Sequence, residues 1–368
     1  MRLADFENCE KSRVNKELIM ILSFFQRKRI WLALLILLFC EVFFFRNILG
    51  NDLMFGDRGD GRLTMLFSEH WWNFFCGRER FGELAMLYPA KNVIGYSDMF
   101  LGFGLIHSFL RLLSFDMYAA FKWTLIIVHI IGTYAMFYLC FKKLHISILW
   151  SLFATITFCF SNAFSIHVGH TQLFGMSILP ILSIFLVNAV TKYRKQQNCQ
   201  SSLLAFLAVF VLLMYTSWYV AYFSGLFLGV LLLVYLIQLR NVLHNWYFLQ
   251  QFIKSVWPVV IKCSIFAFIL LIPFLSIYLP IFLESGGYSY ADVSIYLPEI
   301  ADFINVDEDN FMFGNIIKKM GLSERGYSGE VVIGFSVVLS VLFLVTFIIY
   351  GKKNKYSLPN VKYQNADI

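Results

Sequence analysis

The sequence predicts an all-α membrane protein, a polytopic bundle of transmembrane helices. Of its 368 residues, 59% are hydrophobic and only 14% are charged, and the mean hydropathy is +0.68. Soluble domains carry roughly 25% charged residues. Unbroken apolar runs of about 20 residues match helices that cross a bilayer, whereas the strands of a membrane barrel alternate over about ten residues. The net charge of +7 falls in short clusters between these runs, which indicates a topology signal and no nucleic-acid partner.

Eight apolar runs are predicted to be spans. They lie near 30–46, 118–140, 147–166, 172–190, 202–217, 222–239, 258–283 and 331–350. The fifth and sixth form one stretch, which we divide between Tyr215 and Tyr219 because aromatic and hydroxyl side chains are typical of a membrane interface. Residues 98 to 115 are also apolar, but a ninth span there would reverse every later loop. We therefore predict a helix there that lies in the interface or re-enters.

The basic residues predict the orientation of the chain. Five clusters fall on one side when eight helices are threaded: Arg27 to Arg29, Lys142 and Lys143, Lys192 to Lys195, Arg240, and Lys352 and Lys353. Because short cytoplasmic loops are enriched in lysine and arginine, both termini are expected in the cytoplasm. A transmembrane domain at 30–350 then lies between cytoplasmic segments 1–29 and 351–368, with long external loops at about 47–117 and 284–330.

The first external loop opens with the polar stretch FGDRGDGRLTMLFSEHWWNFF, residues 55 to 75. Glycines beside Asp57 and Asp60 allow a tight bend there. Apolar residues from Leu63 to Phe74 then recur every three or four positions, which predicts a helix on the membrane surface with Glu69 on its cleft-facing side. An external carboxylate can act as a general base or bind a divalent cation, or it can be an ordinary solvated loop charge.

Three segments resemble one family of membrane enzymes. They are FGDRGDGRLTMLFSEHWW, LYPAKNVIGYSDMFLG and HVGHTQLFGMSILP. Together they are similar to the glycosyltransferase C superfamily, and more narrowly to a bacterial group with the pattern G-D-x-x-D-x-R, E-H, Y-P, S-D-x-x-x-G and G-H-x-Q. The resemblance implies transfer of a sugar from a polyprenyl-phosphate carrier to a glycan, lipid or protein acceptor. The reaction would occur at the outer face of the bacterial cytoplasmic membrane, during assembly of the cell envelope.

The same resemblance assigns roles to individual residues. Asp57 matches the acidic position that such enzymes use as the catalytic base, and Asp60 is the second candidate. The residues implied in substrate binding are Arg62, Glu69, His70, Tyr88, Asp98, His170 and Gln172. Of these, Arg62 would contact the carrier phosphate, with Arg58 or Lys91 as the alternatives. No cofactor is implied, although a divalent cation is compatible with the carboxylates, and no Cys or His cluster completes a zinc set with His167 and His170.

Two other classes of protein share an apolar helical sequence. A transporter or flippase for lipid-linked saccharides is expected to carry charged groups deep within several spans. In this chain the charges collect at one surface, which favours the enzyme. A truncated, non-catalytic membrane component of envelope polysaccharide assembly would need no carboxylate at all.

Overall fold

The regular secondary structure in the described part of the chain is entirely helical, as the sequence predicts. The computed structural model describes residues 27–50, 59–84, 86–87, 89–161, 164, 170–238, 246–287, 289–294, 297, 299–303, 305–308, 310 and 313–321. These residues belong to two compact units, Met1–Gly287 and Tyr288–Ile368. No strand occurs within the described ranges.

The first unit is a helical bundle. Its long helices are α1 (27 to 44), α2 (Asp60–Phe75), α3 (Leu101–Leu112), α4 (Met117–Tyr138), α5 (Ile148–Cys159), α6 (Leu179–Arg194), α7 (Gln200–Thr216), α8 (Trp218–Gln238) and α9 (Trp246–Ser285). Two 3₁₀ helices, Val93–Tyr96 and Thr171–Ile178, connect them, and a π-helical turn extends α4 to Lys143.

Within the described ranges, three continuous helical segments are long and apolar enough to cross a membrane: Met117–Lys143, Thr171–Arg194 and Trp257–Ser285. These helices indicate a membrane protein. Seven of the eight predicted spans overlap helices of the bundle, and the eighth, 331–350, lies outside the described residues. The apolar segment 98–115 contains the 12-residue helix α3, and its placement in the membrane interface stays a prediction. The total of eight spans stays a prediction.

The predicted division of the long apolar stretch is confirmed at Ser217, which is the only residue between α7 and α8. Residues just before α3 and at its start form hydrogen bonds with both sides of this break. The hydroxyl of Thr216 accepts a hydrogen bond from the backbone N–H of Gly102 (2.9 Å), and the carboxylate of Asp98 accepts one from the N–H of Trp218 (2.6 Å). These bonds satisfy backbone N–H groups in the first turns of α3 and α8, which have no partner within their own helices.

Helix α9 continues through Pro258, Pro273 and Pro280. Proline lacks an N–H and disturbs the preceding turn, so a helix interior tolerates it where neighbouring groups satisfy the backbone. Next to Pro273, the hydroxyl of Tyr215 donates to the carbonyl of Leu270 (2.7 Å) and accepts from the N–H of Phe274 (2.9 Å). This tyrosine therefore stabilises the irregular turn and joins α7 to α9.

The largest hydrophobic core lies where α2 and α3 pack on the bundle. Trp71 is 1% exposed, and its indole N–H donates to the carbonyl of Met99 (2.7 Å). Gly104 on α3 provides the space for this indole ring. The predicted apolar face of α2 is therefore reproduced at Phe67 and Trp71, which are buried, whereas Leu66 is 42% exposed.

The second unit, in its described residues, contains α10 (Tyr290–Ser294), the 3₁₀ helix Ile300–Phe303 and α11 (Gly314–Lys319). Asp292 accepts hydrogen bonds from the N–H (2.9 Å) and the hydroxyl (2.6 Å) of Ser289, and these bonds lower the pKa of its carboxyl group. The acidic run that begins at Asp307 includes Glu308, which lies 3.9 Å from the ammonium group of Lys318.

The close contact between α2 and α3 predicts that Gly104→Ala destabilises the fold. A Cβ at Gly104 would overlap the indole of Trp71. Overpacking of this kind costs about 1–3 kcal/mol, which outweighs a gain in helix propensity of about 1 kcal/mol. Unfolding in mixed detergent micelles, followed by circular dichroism, should show the loss.

Gly229→Ala in α8 is the matched control, because a Cβ there meets nothing within 4 Å. This variant should be as stable as the unmodified chain or slightly more stable. Equal stabilities of the two alanine variants would contradict the packing of Trp71 against α3.

Candidate functional site

An aspartate and a histidine meet at the N-terminal end of α2. Asp60 is the first residue of this helix, and His170 immediately precedes the 3₁₀ helix Thr171–Ile178. The imidazole Nδ1 of His170 lies 3.2 Å from Oδ2 of Asp60, and the amide Nε2 of Gln172 lies 3.4 Å from the same imidazole nitrogen. Three of the residues selected from the sequence thus lie together, although Asp60 and His170 are 110 positions apart.

A buried pair of hydroxyl groups holds these two segments together. The hydroxyl of Thr171 donates to the hydroxyl of Thr64 (2.5 Å), which in turn donates to the carbonyl of Asp60 (2.9 Å). Both threonines are 1% exposed or less. Because a buried hydroxyl without a partner is costly, this chain of bonds fixes His170 close to the first turn of α2.

The 3₁₀ helix that follows His170 also rests directly on α4. Gly132 of α4 makes this approach possible, since a Cβ there would lie 2.6 Å from Cβ and 2.8 Å from Cα of Ser177. The segment after His170 therefore has two supports, α2 through Thr171 and α4 through Ser177. Two such supports fix the position of a side chain that would otherwise belong to a loop.

The Asp60–His170 pair has the geometry of a proton-accepting site. The side chains are 50% and 29% exposed, respectively, so a substrate can reach them. A carboxylate at a helix N-terminus is favoured by the helix dipole. A carboxylate next to an imidazole nitrogen orients the ring and selects its tautomer, and such a pair can exchange a proton with a substrate.

Glu69 binds elsewhere, on α3. Its Oε2 lies 2.7 Å from Nε2 of His107 and 3.1 Å from Nε of Arg111. His107 is fully buried, and Glu69 is 15% exposed. This cluster joins α2 to α3. The Glu69 carboxylate, which the sequence predicts to face a cleft, is therefore bound by His107 and Arg111.

His70 likewise has a partner away from the Asp60 end of α2. Its Nδ1 contacts a carboxylate oxygen of Glu79, and its ring is buried. At 1.5 Å per residue, nine or ten residues of helix separate Glu69 and His70 from Asp60 by about 14 Å. Glu69 and His70 therefore do not contact the Asp60–His170 pair, because α2 is one uninterrupted helix. Their place in one cleft with Asp57 stays a prediction, since Asp57 lies outside the described residues.

Asp98, which the sequence assigns to substrate binding, instead lies at the N-terminus of α8. Its carboxylate accepts hydrogen bonds from the backbone N–H groups of Trp218 and Tyr219. Burial raises the pKa of the Asp98 carboxyl from 3.8 to about 6, and the two backbone hydrogen bonds oppose part of this rise. From α9, the hydroxyl of Tyr278 donates to the carbonyl of Ser97 (2.6 Å) and closes this contact.

Of the remaining candidates, Arg62 lies in the described part of the chain. Arg62 is exposed on the first turn of α2. Asp57, Tyr88 and His167 lie outside the described residues, so the assignment of Asp57 as the base stays a prediction. Among the residues that the structure describes, no group of three or more His, Cys, Asp or Glu side chains could hold a metal ion.

Sequence reasoning missed one buried ionisable group, Glu41 of α1. Its Oε2 lies 2.8 Å from Nδ1 of His129 on α4, and the two side chains are 2% and 1% exposed. The signal was a single carboxylate within an otherwise apolar run, because such a residue needs a buried partner. The charges of this protein therefore do not all lie at one surface.

Comparison with protein-family models, with curated proteins and with solved structures finds no match to this chain. The functional argument therefore depends on its own residues and their geometry.

The raised pKa of Asp98 predicts a specific dependence of stability on pH. Between about pH 4 and pH 6 the folded chain keeps a proton on Asp98 that the unfolded chain releases. The free-energy contribution of Asp98 to stability is thus greatest at the acidic end, declines through this window, and stays low above it. Unfolding in mixed micelles from pH 4 to 7 should show this decline in the unmodified chain relative to Asp98→Asn. Parallel curves for the two proteins would contradict the buried carboxyl group.

Proposed function

We propose that this chain is a membrane glycosyltransferase of the glycosyltransferase C type. It transfers a sugar from a polyprenyl-phosphate carrier to an acceptor at the outer face of the bacterial cytoplasmic membrane. The observation that carries the proposal is the contact between Asp60 and His170. These residues belong to two of the segments that resemble the family, GDRGDGR and GHTQ, and the fold brings Asp60 and His170 together.

The pair supplies the proton acceptor that glycosyl transfer requires. An acceptor hydroxyl gives its proton to the Asp60–His170 pair, and its oxygen forms a bond to the anomeric carbon. The bond from that carbon to the carrier phosphate breaks, and the phosphate leaves with the bonding electrons. Arg62 is exposed two residues after Asp60, and its guanidinium group is suited to binding the phosphate. Asp57, the base that the resemblance implies, lies three residues before Asp60 in the sequence.

The helix geometry supports the outer placement of α2 and α3. Glu41 comes 13 residues after Lys28 on α1, and His129 comes 13 residues before Lys142 at the end of α4. Since these two side chains pair, the basic ends of the two helices lie at about the same level, each about 20 Å from the pair along its helix. With the basic ends in the cytoplasm, the connection between α1 and α4, which contains α2 and α3, is on the outer side.

A second candidate is a transporter for lipid-linked saccharides. The buried Glu41–His129 pair favours it, because ionisable groups within a membrane bundle commonly serve ion or proton pathways. The two candidates differ at Asp60. An enzyme needs this carboxylate for chemistry, whereas a transporter needs no proton acceptor beside its substrate sugar.

Replacement of Asp60 by Asn, or of His170 by Gln, should reduce sugar transfer by about 10²–10⁴-fold while carrier binding is retained. Because the two residues act as a unit, the double variant should lose little more than either single variant. The assay is transfer from a labelled polyprenyl-phosphate hexose in proteoliposomes. Glu83→Gln, at an exposed pair with Arg80, is the control and should keep full transfer. Full turnover in Asp60→Asn would rule out this catalytic role.

The proposed orientation predicts which cysteine reacts from outside. Cys76 is exposed and follows α2 directly, whereas Cys199 lies before α7 on the proposed cytoplasmic side. A membrane-impermeant maleimide should label Cys76 in intact spheroplasts, and Cys76→Ser should abolish that labelling. Cys199 should react only after the membrane is opened. Labelling of Cys76 only in opened membranes would place α2 in the cytoplasm and end the proposal.

A further inference from the structure

The buried pair inside the bundle fixes an imidazole ring at two points. Nδ1 of His129 lies 2.8 Å from Oε2 of Glu41, and Nε2 lies 2.8 Å from the backbone carbonyl of Cys159 at the end of α5. A carbonyl only accepts, so Nε2 carries a proton, and Nδ1 and the carboxylate share another. The ring cannot turn without breaking a buried hydrogen bond. Three helices, α1, α4 and α5, thus determine its orientation.

The same ring supports the segment that carries His170. Phe164 packs edge-on against His129 with ring centres 5.0 Å apart, and Phe174 packs against it at 5.9 Å. These two phenylalanines also contact each other at 5.5 Å. In the sequence they flank His170, six positions before it and four positions after it. Both sides of the segment around His170 therefore rest on one fixed imidazole.

A buried pair of ionisable groups is a poor choice for stability alone. Removing such groups from water is costly, and well-packed apolar side chains of similar volume are often at least as stabilising. What the Glu41–His129 pair provides is direction, since hydrogen bonds hold a ring in one orientation where an apolar contact would allow several. Phe44, stacked nearly parallel to His129 at 4.9 Å, completes this aromatic surround.

We infer that Glu41 and His129 are positioning residues for His170. Their hydrogen bond fixes the ring on which Phe164 and Phe174 pack, and this packing holds His170 against Asp60. The functional meaning of this role depends on the proposed sugar transfer, but the contact that it maintains can be measured without any substrate.

Solid-state NMR on the full chain in lipid vesicles provides the test. With ¹⁵N in histidine and ¹³C in the aspartate carboxyl groups, dephasing reports histidine–aspartate contacts. Among the described residues, the ion pairs of His70, His107 and His129 involve glutamates, and only that of His170 involves an aspartate. His170→Gln should therefore remove the signal and identify it. ¹³C-labelled glutamate reports the Glu41–His129 pair in the same way.

Glu41→Gln should reduce the Asp60–His170 signal to the level of His170→Gln. Phe174→Leu should remove the same signal while the Glu41–His129 signal persists, and it decides the question where Glu41→Gln does not fold. Glu79→Gln is the matched control, because it removes another carboxylate bound to a buried histidine, His70, at the far end of α2. It should leave the Asp60–His170 signal unchanged.

Two results would overturn the inference. One is an Asp60–His170 signal that persists in both Glu41→Gln and Phe174→Leu. The other is an equal loss in Glu79→Gln, which would show a general loosening of the bundle. A chain that gives the signal but transfers no sugar would contradict the proposed function and leave the positioning role in place.

Discussion

The contact between the first turn of α2 and the segment that begins at His170 is the interaction on which the candidate site depends. The hydroxyl groups of Thr64 and Thr171 make this contact, and both are completely enclosed by protein. In apolar surroundings such groups must find hydrogen-bond partners within the protein, because water is not available to replace a lost partner. The need to satisfy two small polar groups thus brings Asp60 beside His170, and any chemistry at this place follows from it.

Much of the architecture could be predicted because it depends on local pattern. Apolar runs predict the helices of the bundle, and the hydroxyl and aromatic side chains near Ser217 predict where the long apolar stretch divides into α7 and α8. The partners within the site could not be predicted in this way. Periodicity shows which face of α2 carries Glu69 but not that His107 on α3 lies opposite, and nothing local relates Asp98 to Trp218, 120 positions later. The partner of Glu41 could not be predicted either, because His129 lies on another helix.

The two functional candidates depend on two residue pairs that lie at different depths in the molecule. Asp60 and His170 are partly exposed, whereas Glu41 and His129 are buried and aromatic rings pack around His129. In the proposed enzyme both pairs act together, because the buried pair positions the exposed one. Helices α8 and α9 add a third feature, since side chains such as Phe227 (63% exposed) and Leu283 (74% exposed) offer a broad apolar surface. Such a surface suits lipid chains, including the hydrocarbon tail of a polyprenyl carrier.

The central claim is that the head group of a lipid carrier reaches the Asp60–His170 pair. Photo-crosslinking tests this most directly, with a polyprenyl-phosphate analogue that carries a diazirine beside the phosphate and with the full chain in nanodiscs. The account predicts adducts on peptides that contain Asp60 to Arg62 or His170 to Gln172, and their loss when unlabelled polyprenyl phosphate competes. Adducts confined to the exposed faces of α8 and α9, with none near Asp60 or His170, would contradict it.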